Sequence, residues 1–245
     1  MHRFVLLRRG LGAVLMLLAT LPAFTFAAAS PVERAQIQAT RATSSLMLVR
    51  GEGFQKAHLQ RLEEDLQALD QAMQTLAPDE TLRRRHQALI EQIRQGVAFG
   101  PGEENMPWRY PEALSQALRD FLTGLRAHPT ATPAELAAKI EYLSVQYLSR
   151  AYFGNFEIAR EQPNAYLGQD ERVLVPAIDK EVETLAGQNP QVADKLKVRW
   201  NYLRNAFVDM NSQSNALVSQ SGRPFAPLAI DRHTRALSEQ WMALE

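Results

Sequence analysis

The chain has 245 residues, with 27 lysines and arginines against 27 aspartates and glutamates, 46% hydrophobic residues and no cysteine. This length allows one large or two small domains, and the balanced charge argues against a general nucleic-acid binder. The lack of cysteine in the sequence excludes disulfides, thiolate zinc sites, a cysteine nucleophile, attached c-type haem and a lipidated N-terminal cysteine.

Residues 1–29 have the features of a secretory signal peptide. Three arginines precede an uncharged stretch that a proline interrupts and that ends in small residues. An uncleaved N-terminal anchor is the alternative, because residues 11–29 nearly reach the length of a bilayer span. The proline and the small residues favour cleavage near Ala29, which would leave a net charge of −3. We therefore expect a periplasmic or secreted protein with no membrane association after cleavage.

The rest of the sequence predicts an all-α fold. Apolar residues recur at steps of three and four, which places them on one helical face, and the sequence shows no sustained period-two alternation. Four such stripes, in chain order, are Leu59, Leu62, Leu66, Leu69, Met73 and Leu76; Leu82, His86, Leu89, Ile93 and Val97; Leu196, Trp200, Leu203, Phe207 and Met210; and Ile230, Thr234, Leu237, Trp241 and Leu244. Prolines other than Pro176 stand at the joints between helical segments, where they start or stop helices. We expect six or seven amphipathic helices in antiparallel bundles, with the polar members His86 and Thr234 buried and hydrogen-bonded.

Two predicted helix starts carry the pattern of a capping box. Ser30 and Thr132 are each followed by proline, and a glutamate, Glu33 or Glu135, stands three positions after the hydroxyl residue. We expect both hydroxyl groups to cap helices and both glutamates to bond back to the residue that caps.

The two halves of the chain match each other in order. The two capping boxes lie 102 residues apart, and residues 68–77 match residues 177–186 at an offset of 109. Later matches occur at offsets of 114 and 119, so the offset only rises along the chain. This behaviour fits a repeated unit with insertions in its loops, and chance agreement between leucine-rich helices is the alternative. We predict a duplicated unit, residues 30–128 and 132–245, that forms two related bundles or one fused bundle.

Aromatic and arginine side chains gather in residues 139–156. Tyr142, Arg150 and Tyr152 are not needed for the apolar stripe of this segment, and an arginine fork flanked by tyrosines can hold a small anion. Arg50 stands near the end of the corresponding segment of the first half. These residues are candidates for ligand binding. The alternative is that the arginine lies along the bundle surface and the tyrosines fill a seam between helices.

A long irregular segment at residues 99–111 supplies two more candidates for ligand binding, Trp108 and Arg109. Long loops in compact helical proteins are often functional, although most only bridge helices. The sequence contains no His-Glu-x-x-His motif, no nucleophile elbow and no glycine loop for phosphate. We therefore expect no catalytic residue, no metal site and no cofactor.

The stretch Gln146-Tyr147-Leu148-Ser149-Arg150 resembles the Gln-x-Leu-Ser-x-Arg-type helix in the periplasmic sensing modules of type IV pilus methyl-accepting chemoreceptors. Tyr147 stands where that family has methionine, and Arg150 follows Ser149 directly. The resemblance implies a helical bundle that follows an N-terminal membrane segment and acts as a sensing module.

Three hypotheses about function follow. The first is a non-enzymatic periplasmic sensory or interaction protein that binds a small ligand or a protein partner, and no nucleic acid. The second is a structural or assembly factor of the cell envelope that acts by protein contact alone. The third is a hydrolase-type enzyme whose acid and base residues come together only in the fold.

Overall fold

The computed structural model describes residues 29–154, 165–212, 214 and 218–243. Residues 1–28 of the predicted signal peptide and Leu244 lie outside the described residues. The helices of the described part are α1 (Pro31–Gly51), α2 (Lys56–Leu76), α3 (Glu80–Ala98), α4 (Tyr110–Arg126), α5 (Leu136–Phe153), α6 (Glu171–Gln188), α7 (Pro190–Val208) and α8 (Pro227–Met242), with a 3-10 turn at Glu103–Asn105.

The all-α prediction is confirmed for the described residues, which contain no strand. The described helices number eight rather than six or seven, because very short joints separate full helices. Residues 77–79, which include Pro78, divide α2 from α3, and Asn189 alone divides α6 from α7. None of the described helices contains a segment long and apolar enough to cross a bilayer.

Helices α1 and α5 lie at the centre of the fold and pack against each other. Residues 32–49 of α1 are all buried except Arg34 and Gln38. This helix is rich in alanine, serine and threonine, whose short side chains let neighbouring helices approach from several sides. The hydroxyls of Thr40 and Thr43 donate to backbone carbonyls one turn earlier, at 2.9 Å in each case, so they are satisfied without water.

The apolar stripes predicted from the sequence face this core. All of their described members are buried except Leu59, His86 and Val97, which are half-buried. Each stripe therefore removes one face of an outer helix from water by packing on its neighbours, which is the expected source of stability in a helical bundle.

Helix α1 begins as predicted, whereas α5 does not. Ser30 Oγ accepts a hydrogen bond from the backbone N–H of Glu33 at 3.1 Å, which confirms Ser30 as the cap of α1. Helix α5 begins at Leu136, so the prediction that Thr132 caps it is wrong. The Glu33 carboxylate does not return to Ser30 but accepts from the backbone N–H of Ala137 at 3.1 Å. A glutamate of α1 thus caps α5 through a contact between distant parts of the sequence, which a local pattern cannot reveal.

The two halves of the chain pair their helices in a similar way. In the first half α1 contacts α2, α3 and α4, and α3 contacts α4. In the second half α5 contacts α6, α7 and α8, and α7 contacts α8. The halves differ in two ways: α1 packs on α2 much more extensively than α5 packs on α6, and α6 packs closely on α7, whereas α2 and α3 have no comparable contact.

Candidate functional site

A network of buried charges joins α1, α2, α5 and α8 at the centre of the fold. We call it the central ion network, and its members are Arg41, Ser45, Asp65, Glu141, Asp231, Arg235 and Ser238. Arg41 Nε donates to Glu141 Oε1 at 2.9 Å. Arg235 donates to both oxygens of Asp65, at 2.8 and 2.7 Å, and to Asp231 Oδ1 at 3.0 Å. Each charged member has a partner of opposite sign, so these groups connect helices.

The environment of Arg235 keeps its guanidinium charged. Burial alone lowers the pKa of Arg235, but its hydrogen bond with Asp65 and the charge of Asp231 raise the pKa above its usual value. Arg61, at the edge of the network, places Nη2 2.8 Å from Asp231 Oδ2. Desolvation offsets much of the attraction in such buried pairs, whereas loss of one partner is strongly destabilising. We infer that the network serves chiefly to define which helix faces meet.

A second polar cluster lies at the end of the bundle where α1, α4, α5 and α8 meet. Glu33 is 1% exposed and accepts from the backbone N–H of Ala137 at 3.1 Å and from Trp241 Nε1 at 3.3 Å. Burial raises the pKa of Glu33 to about 7, although both hydrogen bonds act in the opposite direction. Glu33 is therefore an acid that titrates near neutral pH inside the protein.

Glu135 belongs to the same cluster and does not bond back to Thr132 as predicted. Its Oε1 accepts from Gln36 Nε2 and from Arg126 Nε, both at 2.8 Å. Tyr166 is also buried here, and burial raises the pKa of its phenol well above the usual value. Its hydroxyl and Gln36 Oε1 have no hydrogen-bond partner among the described residues. The cluster contains groups suited to proton transfer, but only Arg126 is appreciably exposed.

Two of the candidates predicted from the sequence, Arg50 and Tyr152, lie near the carboxyl ends of α1 and α5. Arg50 Nη1 donates to the carbonyls of Gly96 and Gly100, at 2.6 and 3.1 Å, where α3 ends. A guanidinium in this place satisfies carbonyls that a helix end leaves without partners. Tyr152 donates from its hydroxyl to Glu52 Oε1 at 2.5 Å. The contacts of both residues are with the protein itself, and a role in ligand binding stays a prediction.

Arg150 and Tyr142 lie on α5 but in different surroundings. Arg150 is 7% exposed and donates to the carbonyls of Gly154 and Ser214, at 2.6 and 2.5 Å. The Tyr142 hydroxyl accepts from the backbone N–H of Gly168 at 3.1 Å. Eight residues of helix separate the two side chains by about 12 Å along the axis, so they do not converge on one small anion. A separate role for either in binding stays a prediction.

Trp108 and Arg109 lie together on the surface just before α4. Trp108 is 81% exposed, and the Arg109 guanidinium lies 4.8 Å from the centre of the indole ring. This distance is typical of a cation–π contact at an exposed site. The structure places this pair as neighbours at the surface, and its function stays a prediction.

The groove between α6 and α7, which we call the α6–α7 groove, has a volume of about 470 Å³. Its lining residues are Asp179, Val182, Glu183, Lys197, Trp200, Asn201, Arg204 and Asn205. Trp200 Nε1 donates to Asp179 Oδ1 at 2.7 Å. Arg204 Nε donates to the two oxygens of Asp179 at 3.0 and 2.8 Å. The buried indole therefore orients the carboxylate, which in turn orients the guanidinium at the surface.

The sequence pattern does not predict this groove. It places Trp200 on an apolar stripe and indicates no role for Asp179 or Arg204. The sequence feature that could have indicated the groove is Trp200 and Arg204, one turn apart on α7, after Asp179 in the preceding helical segment. Which face of α6 meets α7 depends on tertiary packing, so the sequence alone does not show that these three side chains meet.

The two polar residues of the apolar stripes differ in their contacts. His86 lies half-buried against Phe121, with 5.5 Å between ring centres, and burial lowers its pKa. Its Nε2 lies 3.3 Å from Asp70 Oδ1 but makes no hydrogen bond with the described residues, contrary to prediction. Thr234 is fully buried, and its hydroxyl also has no hydrogen-bond partner among the described residues. In the part of the chain that the structure describes, no group of three or more histidine, cysteine, aspartate and glutamate side chains is placed to hold a metal ion.

Comparison with protein-family models, curated proteins and solved structures found no match to this chain. A function can therefore be inferred only from the residues of the chain and their geometry.

Proposed function

We propose that the protein is a non-enzymatic binding protein of the periplasm that recognises a small ligand or a protein partner. One contrast carries the proposal. The charges of the central ion network are paired with one another, whereas four polar residues that line the α6–α7 groove make no side-chain hydrogen bond or ion pair with the described residues. These residues are Glu183, Lys197, Asn201 and Asn205, all of them exposed. Unpaired hydrogen-bonding groups around a concave surface are what a binding site requires.

The position of Glu33 supports binding rather than catalysis. A pKa of about 7 would suit a general acid or base. However, Glu33 is 1% exposed, and its carboxylate is engaged by the amino end of α5 and by Trp241 of α8. A group that holds three helices together is poorly placed to exchange a proton with a substrate.

Export to the periplasm is supported by residues 1–29, which combine a basic start, an uncharged stretch and small residues at the end. The resemblance of residues 146–150 to the sensing modules of chemoreceptors is consistent with this location. A fusion of the chain to a reporter that is active only after export tests the location, and an intact fusion that stays in the cytoplasmic fraction and is inactive would contradict it.

We also propose that helices α1–α4 and α5–α8 are copies of one unit, fused around α1 and α5. The matched residues 68–77 and 177–186 fall in or at the end of α2 and α6, the second helices of each half. Helix α1 contacts each of the other three helices of the first half, and α5 likewise contacts each of the other three of the second half, although the extent of the contacts differs. Both observations fit a duplication.

Ligand-dependent stabilisation tests the binding function. The mature protein is heated with a panel of amino acids, peptides, small carboxylates and sugars, and a ligand that binds the folded state raises the melting temperature. At a concentration of one hundred times Kd, the expected stabilisation is about 2.7 kcal/mol. Turnover of a defined substrate that is lost on replacing one groove residue would refute the proposal.

A structural role in the envelope is the second candidate, and exposed apolar side chains favour it. Val198 is 74% exposed and Tyr202 is 47% exposed on α7, and Trp108 is 81% exposed. Contiguous exposed apolar patches often mark protein contacts, and Val198 and Tyr202 lie one turn apart on α7. One stoichiometric protein partner, with no small molecule that changes the melting temperature, would favour this role over sensing.

A further inference from the structure

We propose that the α6–α7 groove binds an extended peptide, whose backbone pairs with Asn201 and Asn205 and whose carboxylate reaches Arg204. This inference rests on the proposed binding function and names the class of ligand. Three features of the groove carry it: an oriented arginine, a row of unpaired side chains with the repeat of an extended chain, and a balance of charge.

The ion pair with Asp179 orients the Arg204 guanidinium so that its two outer nitrogens can bind an anion. Only its Nε donates to Asp179, and its Nη1 and Nη2 donate to no described residue. Asp179 is itself fixed by Trp200, which is 1% exposed. The guanidinium therefore presents two parallel donors from a fixed position. A carboxylate matches this fork with two charge-assisted hydrogen bonds.

Three side chains of α7 form a row along the groove. Lys197, Asn201 and Asn205 follow at intervals of four residues and are all exposed. One such interval advances about 6 Å along a helix. Alternate residues of an extended chain are about 6.6 Å apart, so the two repeats differ by little over this length. The asparagine amide carries donors and an acceptor, which lets one side chain pair with both groups of a peptide unit.

The charges of the groove favour a peptide over a polyanion. Asp179 and Glu183 balance Lys197 and Arg204, so the lining residues have no net formal charge. A ligand with several negative charges, such as a polyphosphate, would meet two carboxylates. A peptide with one carboxylate can use the fork of Arg204 while the lysine and glutamate face its polar groups.

The surroundings of the groove favour a ligand longer than one amino acid. Val198 stands beside Lys197 in the sequence of α7 and is 74% exposed. Side chains of a peptide that crosses the edge of the groove would cover this apolar surface. A single amino acid would leave it exposed.

The test uses the full mature chain and a synthetic library of random pentapeptides with acetylated amino ends and free carboxylates. The tightest peptide is labelled, and its binding is measured by fluorescence anisotropy. We expect the Asn201→Ala/Asn205→Ala variant to bind at least about tenfold more weakly, as expected for the loss of two hydrogen bonds. The same peptide is also made with an amidated carboxyl end, which removes the carboxylate. Arg204→Lys should weaken binding of the free-carboxylate peptide by a similar factor and should leave binding of the amidated peptide unchanged. Lys195→Ala, an exposed change on α7 outside the groove, is the matched control and should leave binding unchanged.

Several results would overturn the peptide assignment. The first is that no peptide in the library binds. The second is that the peptide binds both groove variants with unchanged affinity while circular dichroism shows that both variants are folded. Displacement of the peptide by free glutamate at equal affinity would identify a single amino acid as the ligand. In each case the proposed binding function still stands if another compound stabilises the protein. Turnover of a substrate would refute the binding function, whatever the result with peptides.

Discussion

Replacing Glu33 by glutamine should remove a large part of the pH dependence of folding stability. The pKa of this buried acid is about 7 in the folded protein against 4.5 for the ordinary side chain. The raised pKa means that the folded state binds the proton more tightly than the unfolded state does. The stabilisation of the folded state by protonated Glu33 is therefore fully present below pH 4.5 and is lost as the pH rises through 7. Between roughly pH 5 and pH 8.5, this linkage costs the wild-type protein about 2.5 kcal/mol of unfolding free energy.

Glutamine keeps a carbonyl that can accept from the backbone N–H of Ala137, but it cannot ionise. Its amide nitrogen would face the donor Trp241 Nε1, so we expect a loss of about 1 kcal/mol that does not vary with pH. Urea unfolding, followed by circular dichroism at both pH values, gives the free energies. As the pH rises from about 5 to about 8.5, the unfolding free energy of the variant should rise by about 2.5 kcal/mol relative to that of the wild type. Glu64→Gln, at an exposed position of α2, controls for the chemical change.

The outcome that refutes this reasoning is a difference between wild type and Glu33→Gln that is the same at both pH values. Such a result would mean that the carboxylate ionises in the folded state as easily as in water. The hydrogen bonds to α5 and α8, rather than desolvation, would then control its titration.

Further predictions concern the packing of the core. Arg235→Leu should lower the unfolding free energy by about 3–5 kcal/mol, because it leaves buried carboxylates unpaired, and adding Asp65→Leu should recover part of the loss. Gly96→Ala should cost about 1–3 kcal/mol, since a Cβ at this position would overlap the Tyr110 hydroxyl. Gly187→Ala, where a Cβ meets nothing within 4 Å, should instead stabilise α6 by up to about 1 kcal/mol. Chemical denaturation checks all three, and equal effects at the two glycines would contradict the packing argument.

The outer helices were predictable because each buries one face. A stripe such as Leu196, Trp200, Leu203 and Phe207 on α7 repeats with the helical period, and every member is buried. The position of α1 was not predictable in the same way. A helix covered on most sides has no exposed face to contrast with a buried one, and its many serines and threonines resemble a surface pattern.

The connections between helices could not be predicted because they depend on distant residues. Glu33 and Glu135 both fit a local capping box, yet their carboxylates bond to Ala137 and to Gln36 and Arg126. A local pattern shows that a carboxylate is available for a helix end and not which helix end receives it. The same holds for the central ion network, whose partners come from four helices.

The difference between the two halves suggests why the groove lies where it does. If both halves derive from one unit, what they share is a central helix that contacts three outer helices and helps to bury the centre of the fold. They differ in that α5 packs less extensively on α6 than α1 does on α2, and in that α6 packs closely on α7. The packing of α6 on α7 brings Asp179 within hydrogen-bonding distance of Trp200 and Arg204, and so creates an oriented guanidinium at the surface. If the proposed duplication is right, the packing of α6 on α7 is the feature that formed the proposed binding groove in the second copy alone.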